Sequence, residues 1–284
     1  MKKRFNTVAL CSNSAKEHII AIADQCLEVM LSQKIKVLID SNLSNLDQRS
    51  IKASKKQEII KNADLVVAIG GDGTMLNYSR TYGYKGIPIL GINLGNLGFL
   101  TDINPQDLTS SLVKVLDGEF QQDKRIFLEA SLKGKKKKHL ALNEVVVHSG
   151  SIAQLIEYDL FINDSFVYRQ KADGLIISSP TGSTGYSLSG GGPIVHPELD
   201  ALILTPMLPQ SLSTSPLVVK DECIVKISLK NQEATLSFDS HDSLKLSGDT
   251  EIKISKADSK LNLVHPKEHD FFEGCRNKLG WSTH

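Results

Sequence analysis

The chain of 284 residues has almost no net charge: 33 lysines and arginines face 32 aspartates and glutamates, leaving +1 with histidine neutral. Without a surplus of one sign there is no overall field to hold a nucleic-acid backbone or an anionic membrane, so any anionic ligand must be caught locally. Cysteine is also sparse. Cys11, Cys26, Cys223 and Cys275 are scattered, with no CxxC pair and no nearby histidine at zinc spacing, which argues against a disulfide framework or a cysteine metal site and fits a reducing cytosol. No apolar run approaches the roughly 18 residues that a membrane helix needs. Met1-Lys2-Lys3-Arg4 looks like the charged start of a secretory signal, but only Val8-Ala9-Leu10 follow before polar Ser12-Asn13-Ser14, so the expected location is the cytoplasm. What is present is ordinary for a folded protein. Hydrophobic residues at 40% and charged residues at 23% exclude a disordered, collagen-like or coiled-coil chain, and the length allows one large domain or two modest ones.

Two kinds of periodicity divide the chain. Up to about Leu116, short apolar runs (Thr7–Cys11, Ile35–Ile39, Asp64–Ile69, Ile87–Ile92) alternate with stretches of helical spacing, such as Ala15–Gln33 and Thr74–Thr81. Near-continuous apolar strands interleaved with helices predict a parallel sheet covered on both faces. Asn104-Pro105, with Asp107 close behind, reads as an N-cap, a first-turn proline and a first-turn acid. After Arg125 the pattern becomes strict alternation, as in Leu128, Ala130 and Leu132 against Glu129, Ser131 and Lys133. It continues through Ile156–Ile162, Val225–Leu229, Ala234–Phe238, Leu244–Leu246 and Ile252–Ile254, with turns expected at Asn163-Asp164, Asn231-Gln232 and Gly248-Asp249. These are half-buried antiparallel strands. The basic run from Gly134 to Lys138 lies between two of them and reads as a solvated hairpin tip.

Three glycine-rich segments carry the chemistry. The first runs from strand to helix through Gly70-Gly71-Asp72-Gly73-Thr74, a pattern expected by chance on the order of once in several thousand chains of this length. It is neither a GxGxxG fingerprint nor a Walker A loop, because Leu76 takes the third glycine's place and no lysine sits at the required offset. A side-chain-free loop opening a helix still suits phosphate, which the backbone can approach closely and the helix N-terminus attracts. Asp72 is the odd member, since it repels the same phosphates. It holds Mg²⁺, or accepts a proton from an attacking hydroxyl, or caps the helix through the N–H of Thr74 or Met75. The second segment, Gly91 to Leu100 with Gly95 and Gly98, follows another strand and suits a loop walling the same crevice, or turn chemistry alone. The third, Lys171 to Pro193, gathers more hydroxyls and glycines than packing requires, as a polar ligand met by backbone and short hydroxyls would demand. Asn143-Glu144 pairs an amide with a carboxylate, suited to ribose hydroxyls or a base edge, or to a plain strand end.

Gly70–Thr74, Asn93 to Asp102, Asn143-Glu144 and Asp173 to Pro193 resemble, in order and spacing, a bacterial NAD kinase, and Leu261–Pro266 and Lys278-Leu-Gly-Trp281 extend the resemblance over nearly the whole chain. The GGDGT loop alone is shared with diacylglycerol and sphingosine kinases and phosphofructokinases; the long third segment is specific. The resemblance implies an α/β N-terminal domain with a parallel sheet (1–120), an all-β, sandwich-like NAD-binding domain (121–264) and a tail (265–284) returning to the first domain. It implies transfer of the ATP γ-phosphoryl to the 2′-hydroxyl of the adenosine ribose of NAD, with NAD held between the domains. A divalent cation, Mg²⁺ foremost, is bound with ATP, and homodimers or homotetramers form in which one subunit completes a neighbour's site. By position, Asp72 is the proton acceptor with Gly73 beside it on the NAD, and Gly70, Gly71 and Thr74 complete the phosphate loop. Asn143 and Glu144 hold NAD hydroxyls. Lys171, Asp173, Thr184, Gly185, Tyr186, Ser187, Leu188 and Ser189 line the adenine and nicotinamide sides, and Gln154 and His241 fall where relatives carry histidine and glutamine. No protein side chain is assigned to the metal. Gln210 and Ser215 replace a histidine and an arginine usual in the family, which touches a loop contact rather than the reaction.

Two other readings share parts of this pattern. A lipid or sugar kinase would carry the GGDGT loop, but a lipid kinase should expose an apolar groove or membrane surface, which neither composition nor periodicity shows. A non-catalytic NAD(P)-sensing module would need no carboxylate at the phosphate loop.

Overall fold

The computed structural model describes residues 5–49, 51–94, 98–151, 154–211 and 213–281. The chain folds as two compact units, residues 1–124 with 261–284 and residues 125–260.

The first unit opens β1 (Thr7–Ser12), α1 (Glu17–Ser32), β2 (Lys36–Ile39), α2 (Lys56–Asn62), β3 (Leu65–Ile69), α3 (Asp72–Thr81), β4 (Ile89–Ile92) and α4 (Leu108–Leu116). The second carries β5 (Phe120–Leu132, begun in the first unit), β6 (Lys138–Ala141), β7 (Glu144–His148), β8 (Ile156–Ile162), β9 (Ser165–Ala172), β10 (Gly174–Ser178), α5 (Tyr186–Ser189), β11 (Ala201–Met207), β12 (Leu217–Lys220), β13 (Val225–Leu229), β14 (Ala234–Phe238), β15 (Asp242–Leu246) and the start of β16 (Thr250–Pro266). The chain then ends in the first unit with α6 (Phe271–Leu279).

In the first unit the strands run parallel in the order β2, β1, β3, β4 and the end of β16, where Leu263 pairs with Ile89. Every residue of β3 is buried, as a strand covered on both faces must be, and Leu65, Val67 and Ile69 join side chains of α1 and α4 in one core. Full burial of each such side chain contributes about 1.5–3 kcal/mol. The chain places β2 on one side of β1 and β3 on the other, so the topological switch falls between β1 and β3. The glycine loop leaves the carboxyl end of β3, where open α/β sheets bind ligands. Leu263 and Val264 belong to this sheet, so the end of β16 lies in the first unit, which takes up the chain again at Leu261. Asn104 makes no capping bond with its side chain, and Pro105–Asp107 form a 3-10 turn before α4; the helix starts one turn later than the proline signal predicts.

The second unit has two antiparallel faces. One is β12-β11-β10-β7-β14-β15; in the other, the start of β16 pairs with β13, β13 with β8 and β8 with β9, while β5 pairs with β6. Inward residues of both, such as Val145, Ile177 and Phe238 against Leu160, Ile227 and Ile252, share one core, which makes the unit a sandwich. The predicted turns carry positive φ at Asn163 (49°), Asp164 (65°), Asn231 (45°) and Gly248 (68°). The basic run is the connection from β5 to β6, with Gly134 at φ 77°.

Candidate functional site

The residues singled out from the sequence fall into two sets, one in each unit. In the first, β3 delivers Gly70, and Gly71 stands as the N-cap of α3 without a side-chain capping bond. A Cβ at Gly70 would lie 2.2 Å from Thr74 Oγ1, so only glycine lets the strand turn so tightly into the helix. Gly71 and Gly73 are exposed, and helix geometry leaves the first-turn N–H groups without intrahelical carbonyls. That is an open anion seat with the positive end of the helix dipole behind it.

Asp72 is not a cap. The N–H groups of Thr74 and Met75 donate to the Gly71 carbonyl, and the Asp72 carboxylate turns instead to the segment after β4. Its Oδ2 accepts from Phe99 N (3.2 Å) and its Oδ1 from Leu100 N (3.1 Å). Lys278 Nζ, at the end of α6, donates to Oδ2 from 2.8 Å while lying 4.8 Å from the centre of the Phe99 ring. A Cβ on Gly98 would come within 2.3 Å of Asp72 Oδ1 and 2.2 Å of Thr101 Oγ1; this glycine makes room for the carboxylate. Asp72 remains 30% exposed, so it is fixed in orientation and still open to a ligand. Gly95 and Asn96, which the sequence placed on the crevice wall, lie outside the described residues. In the sequence Lys278 belongs only to a terminal motif, and no local pattern links it to a residue 206 positions away.

In the second unit, Asn143 and Glu144 enter β7. Their backbone is gathered by a residue the sequence reading missed: the buried Asp239 carboxylate accepts from Leu142 N (2.9 Å), Asn143 N (2.8 Å) and Glu144 N (3.2 Å). Glu144 is buried, and burial together with the negative charge of Asp239 pushes its carboxyl up to about 8. Glu144 Oε2 and Asn143 Oδ1 are both buried without a hydrogen-bond partner. Two orphaned acceptors side by side call for a ligand hydroxyl or amine. The loop beside them supplies the space, since a Cβ on Gly185 would lie 3.5 Å from both Asn143 Nδ2 and Glu144 Oε2, and one on Gly182 would strike the Asn143 carbonyl at 2.3 Å.

The hydroxyl-rich run proves largely structural. Ser179 Oγ donates to Leu142 O (2.6 Å), Ser178 Oγ to Ser179 O (2.8 Å) and Ser183 Oγ to Pro180 O (2.7 Å). Ser187 is buried, its hydroxyl 3.0 Å from Thr205 Oγ1, so it serves the fold rather than an open ligand surface. Packing does use these hydroxyls, to satisfy a turn whose glycines would otherwise leave backbone groups unpaired. Of the rest of the run, Tyr186 and Ser189 are exposed, and Thr184, Gly185 and Leu188 half-buried. Asp173 is half-buried between β9 and β10. Lys171 pairs with Glu157 Oε2 at 3.2 Å and, with Gln210 and Ser215, lines a cavity of about 790 Å³. Gln154 and His241 lie on the surface, and His241 Nδ1 is 2.7 Å from the carbonyl of Asp239, the residue that gathers the Glu144 backbone.

Comparison with known proteins assigns both units. Residues 8–120 match the family model described as the ATP-NAD kinase N-terminal domain, and residues 142–266 the ATP-NAD kinase C-terminal domain. The NAD kinase of Teredinibacter turnerae is 40% identical over 288 residues, covering 99% of this chain and 98% of its own. That of Tolumonas auensis is 40% identical over 293 residues, covering 100% and 99%. Among solved structures, yeast NADH kinase complexed with NADH superposes with a TM-score of 0.91 at 25% identity, covering 100% of this chain and 90% of that one. An NAD kinase from Archaeoglobus fulgidus in complex with ATP gives 0.75 at 28%, covering 96% and 97%.

Proposed function

The chain belongs to the ATP-NAD kinase family, and from that membership we propose how its residues divide the work of the reaction. The reaction is the ATP-dependent phosphorylation of NAD, in which the γ-phosphoryl passes to the 2′-hydroxyl of the adenosine ribose to give NADP. Phosphoryl transfer needs little covalent chemistry from the protein; in-line positioning and stabilisation of spreading negative charge supply most of the rate. The first-turn amides of Gly71, Asp72 and Gly73 cradle phosphate oxygens, a reading supported by the exposure of the two glycines. Asp72 orients the 2′-hydroxyl and takes its proton as the new P–O bond forms, a role typically worth 10²–10⁴-fold.

The second unit's share is recognition of the nucleoside. Asn143 Oδ1 and the Glu144 carboxyl receive ribose hydroxyls, which fill their missing hydrogen bonds. Gly185, Tyr186, Leu188 and Ser189, with Thr184, Asp173 and Lys171, flank the base and nicotinamide. Ser187 acts through the fold of this loop, and Gln154 and His241 contribute at the rim.

A divalent cation, Mg²⁺ in the first instance, accompanies ATP. The Asp72 carboxylate does not fit as its ligand, because an ammonium and two N–H donors already occupy both oxygens. Mg²⁺ is commonly held by substrate phosphates and water, and no step here is routed through it.

The observation that carries the proposal is the Asp72 carboxylate, oriented by three donors at the lip of the glycine loop. Asp72→Asn is expected to keep NAD binding, measured by calorimetry, and to lose most NADP formation from NAD and ATP–Mg²⁺. Retention of more than a tenth of wild-type kcat would remove Asp72 from the base role. A cytoplasmic location is proposed from the four unpaired cysteines, and no helix among the described residues is long and apolar enough to cross a membrane. A homo-oligomer is proposed from Phe166 and Val167, apolar and exposed on β9, with sedimentation as its test.

A further inference from the structure

We propose that Asp102, His265 and His269 form a binding site for a borderline divalent metal, Zn²⁺ foremost, separate from the Asp72 carboxylate and from the metal that accompanies ATP. Asp102 closes the segment after β4, His265 ends β16, and His269 sits in the turn that starts α6, all within the first unit. The Asp102 carboxylate stands between two imidazoles. Its Oδ2 meets His265 Nδ1 and its Oδ1 lies 2.8 Å from His269 Nδ1, with the two rings stacked at 4.0 Å between centres. One ligand atom from each residue can be chosen so that all three lie within 4.8 Å of one another. Bonds of about 2.0–2.2 Å from zinc to nitrogen and oxygen set tetrahedral ligand atoms roughly 3.3–3.6 Å apart, so the carboxylate must draw back from the two imidazoles to admit the ion.

The positions are held by backbone. Ile103 bridges to Ile92, His269 N donates to Pro266 O at 3.1 Å, and Gln121 Nε2 donates to His269 O at 2.9 Å. A second observation concerns the far side of His265. This residue is 1% exposed, its Nε2 has no hydrogen-bond partner, and that nitrogen faces Asp123 Oδ2 at 3.8 Å. A histidine that binds metal through one nitrogen usually directs the other, as N–H, to a carboxylate, which fixes the tautomer. Ligation through Nδ1 puts the His265 proton on Nε2, facing Asp123. The third observation is the surroundings. Asp102 and His269 open on a cavity of about 380 Å³ whose wall also carries Asp107 and Glu273, while Asp270 is paired with Arg276 at 3.1 Å and Glu268 with Lys114 at 3.4 Å. That acidic lining suits a cation. Imidazole nitrogens beside carboxylate select Zn²⁺, Co²⁺ or Ni²⁺ over Mg²⁺, which prefers an all-oxygen shell.

The test uses the full chain, untagged and stripped with a chelator, titrated with Zn²⁺, Co²⁺ and Mg²⁺ by calorimetry, with metal content by mass spectrometry. One equivalent of Zn²⁺ is expected, bound at least 100-fold more tightly than Mg²⁺, and Co²⁺ should give the visible bands of a nitrogen–oxygen tetrahedral site. His269→Gln, at a partly exposed position that should leave folding intact, is expected to weaken Zn²⁺ at least tenfold, and Asp123→Asn by a similar factor acting through His265. Cys223→Ser should leave affinity unchanged. A chain that takes no Zn²⁺ more tightly than Mg²⁺, or an affinity that His269→Gln leaves intact, overturns the proposal and leaves a hydrogen-bonded cluster alone. None of these readouts depends on kinase turnover, so the outcome is separate from that of the Asp72 assay.

Discussion

Replacing Glu144 by glutamine should make the protein more stable at high pH, and the structure gives the size of the effect. Burial, then the nearby Asp239 charge, raises the Glu144 carboxyl from 4.5 to about 8. Between these values the folded protein holds a proton that the unfolded chain has released. The folded state therefore binds more protons, and stability falls as pH rises. The loss begins near pH 4.5 and is complete above about pH 8. At about 1.4 kcal/mol per pKa unit, the wild-type protein loses about 4 kcal/mol from this group between pH 5 and pH 9. Glutamine keeps the shape and cannot ionise. Urea unfolding of both proteins at pH 5, 7 and 9 isolates the difference, because the titrating groups they share cancel. The gap should widen by about 4 kcal/mol in favour of Glu144→Gln. Parallel pH profiles, with the gap changing by less than about 1 kcal/mol, would refute the claim that burial and the Asp239 charge hold Glu144 neutral.

Three further outcomes follow from the geometry. Gly98→Ala places a Cβ 2.3 Å from Asp72 Oδ1, so the carboxylate must leave its two N–H donors; kcat should fall by about 10²-fold or more, while calorimetry shows NAD affinity nearly unchanged. Lys278→Met removes the ammonium 2.8 Å from Asp72; steady-state kinetics should show kcat lowered about fivefold at an unchanged KM for NAD, with Lys278→Arg recovering part of it, since a partly exposed ion pair contributes about 1 kcal/mol. Asp239→Ala strips the acceptor from three buried N–H groups at Leu142, Asn143 and Glu144, and should cost at least about 3 kcal/mol in denaturant unfolding.

Some of this protein is legible from local pattern alone. The five-residue apolar run Leu65–Ile69 can be satisfied only by a strand buried on both faces, and the alternation around Leu128–Leu132 only by one buried on a single face. The GGDGT turn is equally local, because a position where any Cβ would fall 2.2 Å from Thr74 Oγ1 admits only glycine and so leaves its mark at its own place in the chain. Other features are ambiguous in the sequence for a physical reason. The serines from Ser178 to Ser187 look like ligand contacts until the backbone groups they satisfy are known, and those partners lie up to 37 residues away at Leu142 and Asn143.

Strand type, the order of elements, the glycine-rich turn and the presence of a carboxylate within it were determined by the sequence itself, since each depends on residues within a few positions of one another. Only the tertiary structure decided what Asp72 touches, that Asp239 gathers the Asn143-Glu144 turn, and that two histidines near the end of the chain share Asp102. Contacts across roughly 100 to 200 positions of chain depend on how β3, β4 and β16 align in one sheet and how β7 and β14 align in another. Strand register sets these pairings, and no run of neighbouring residues encodes it.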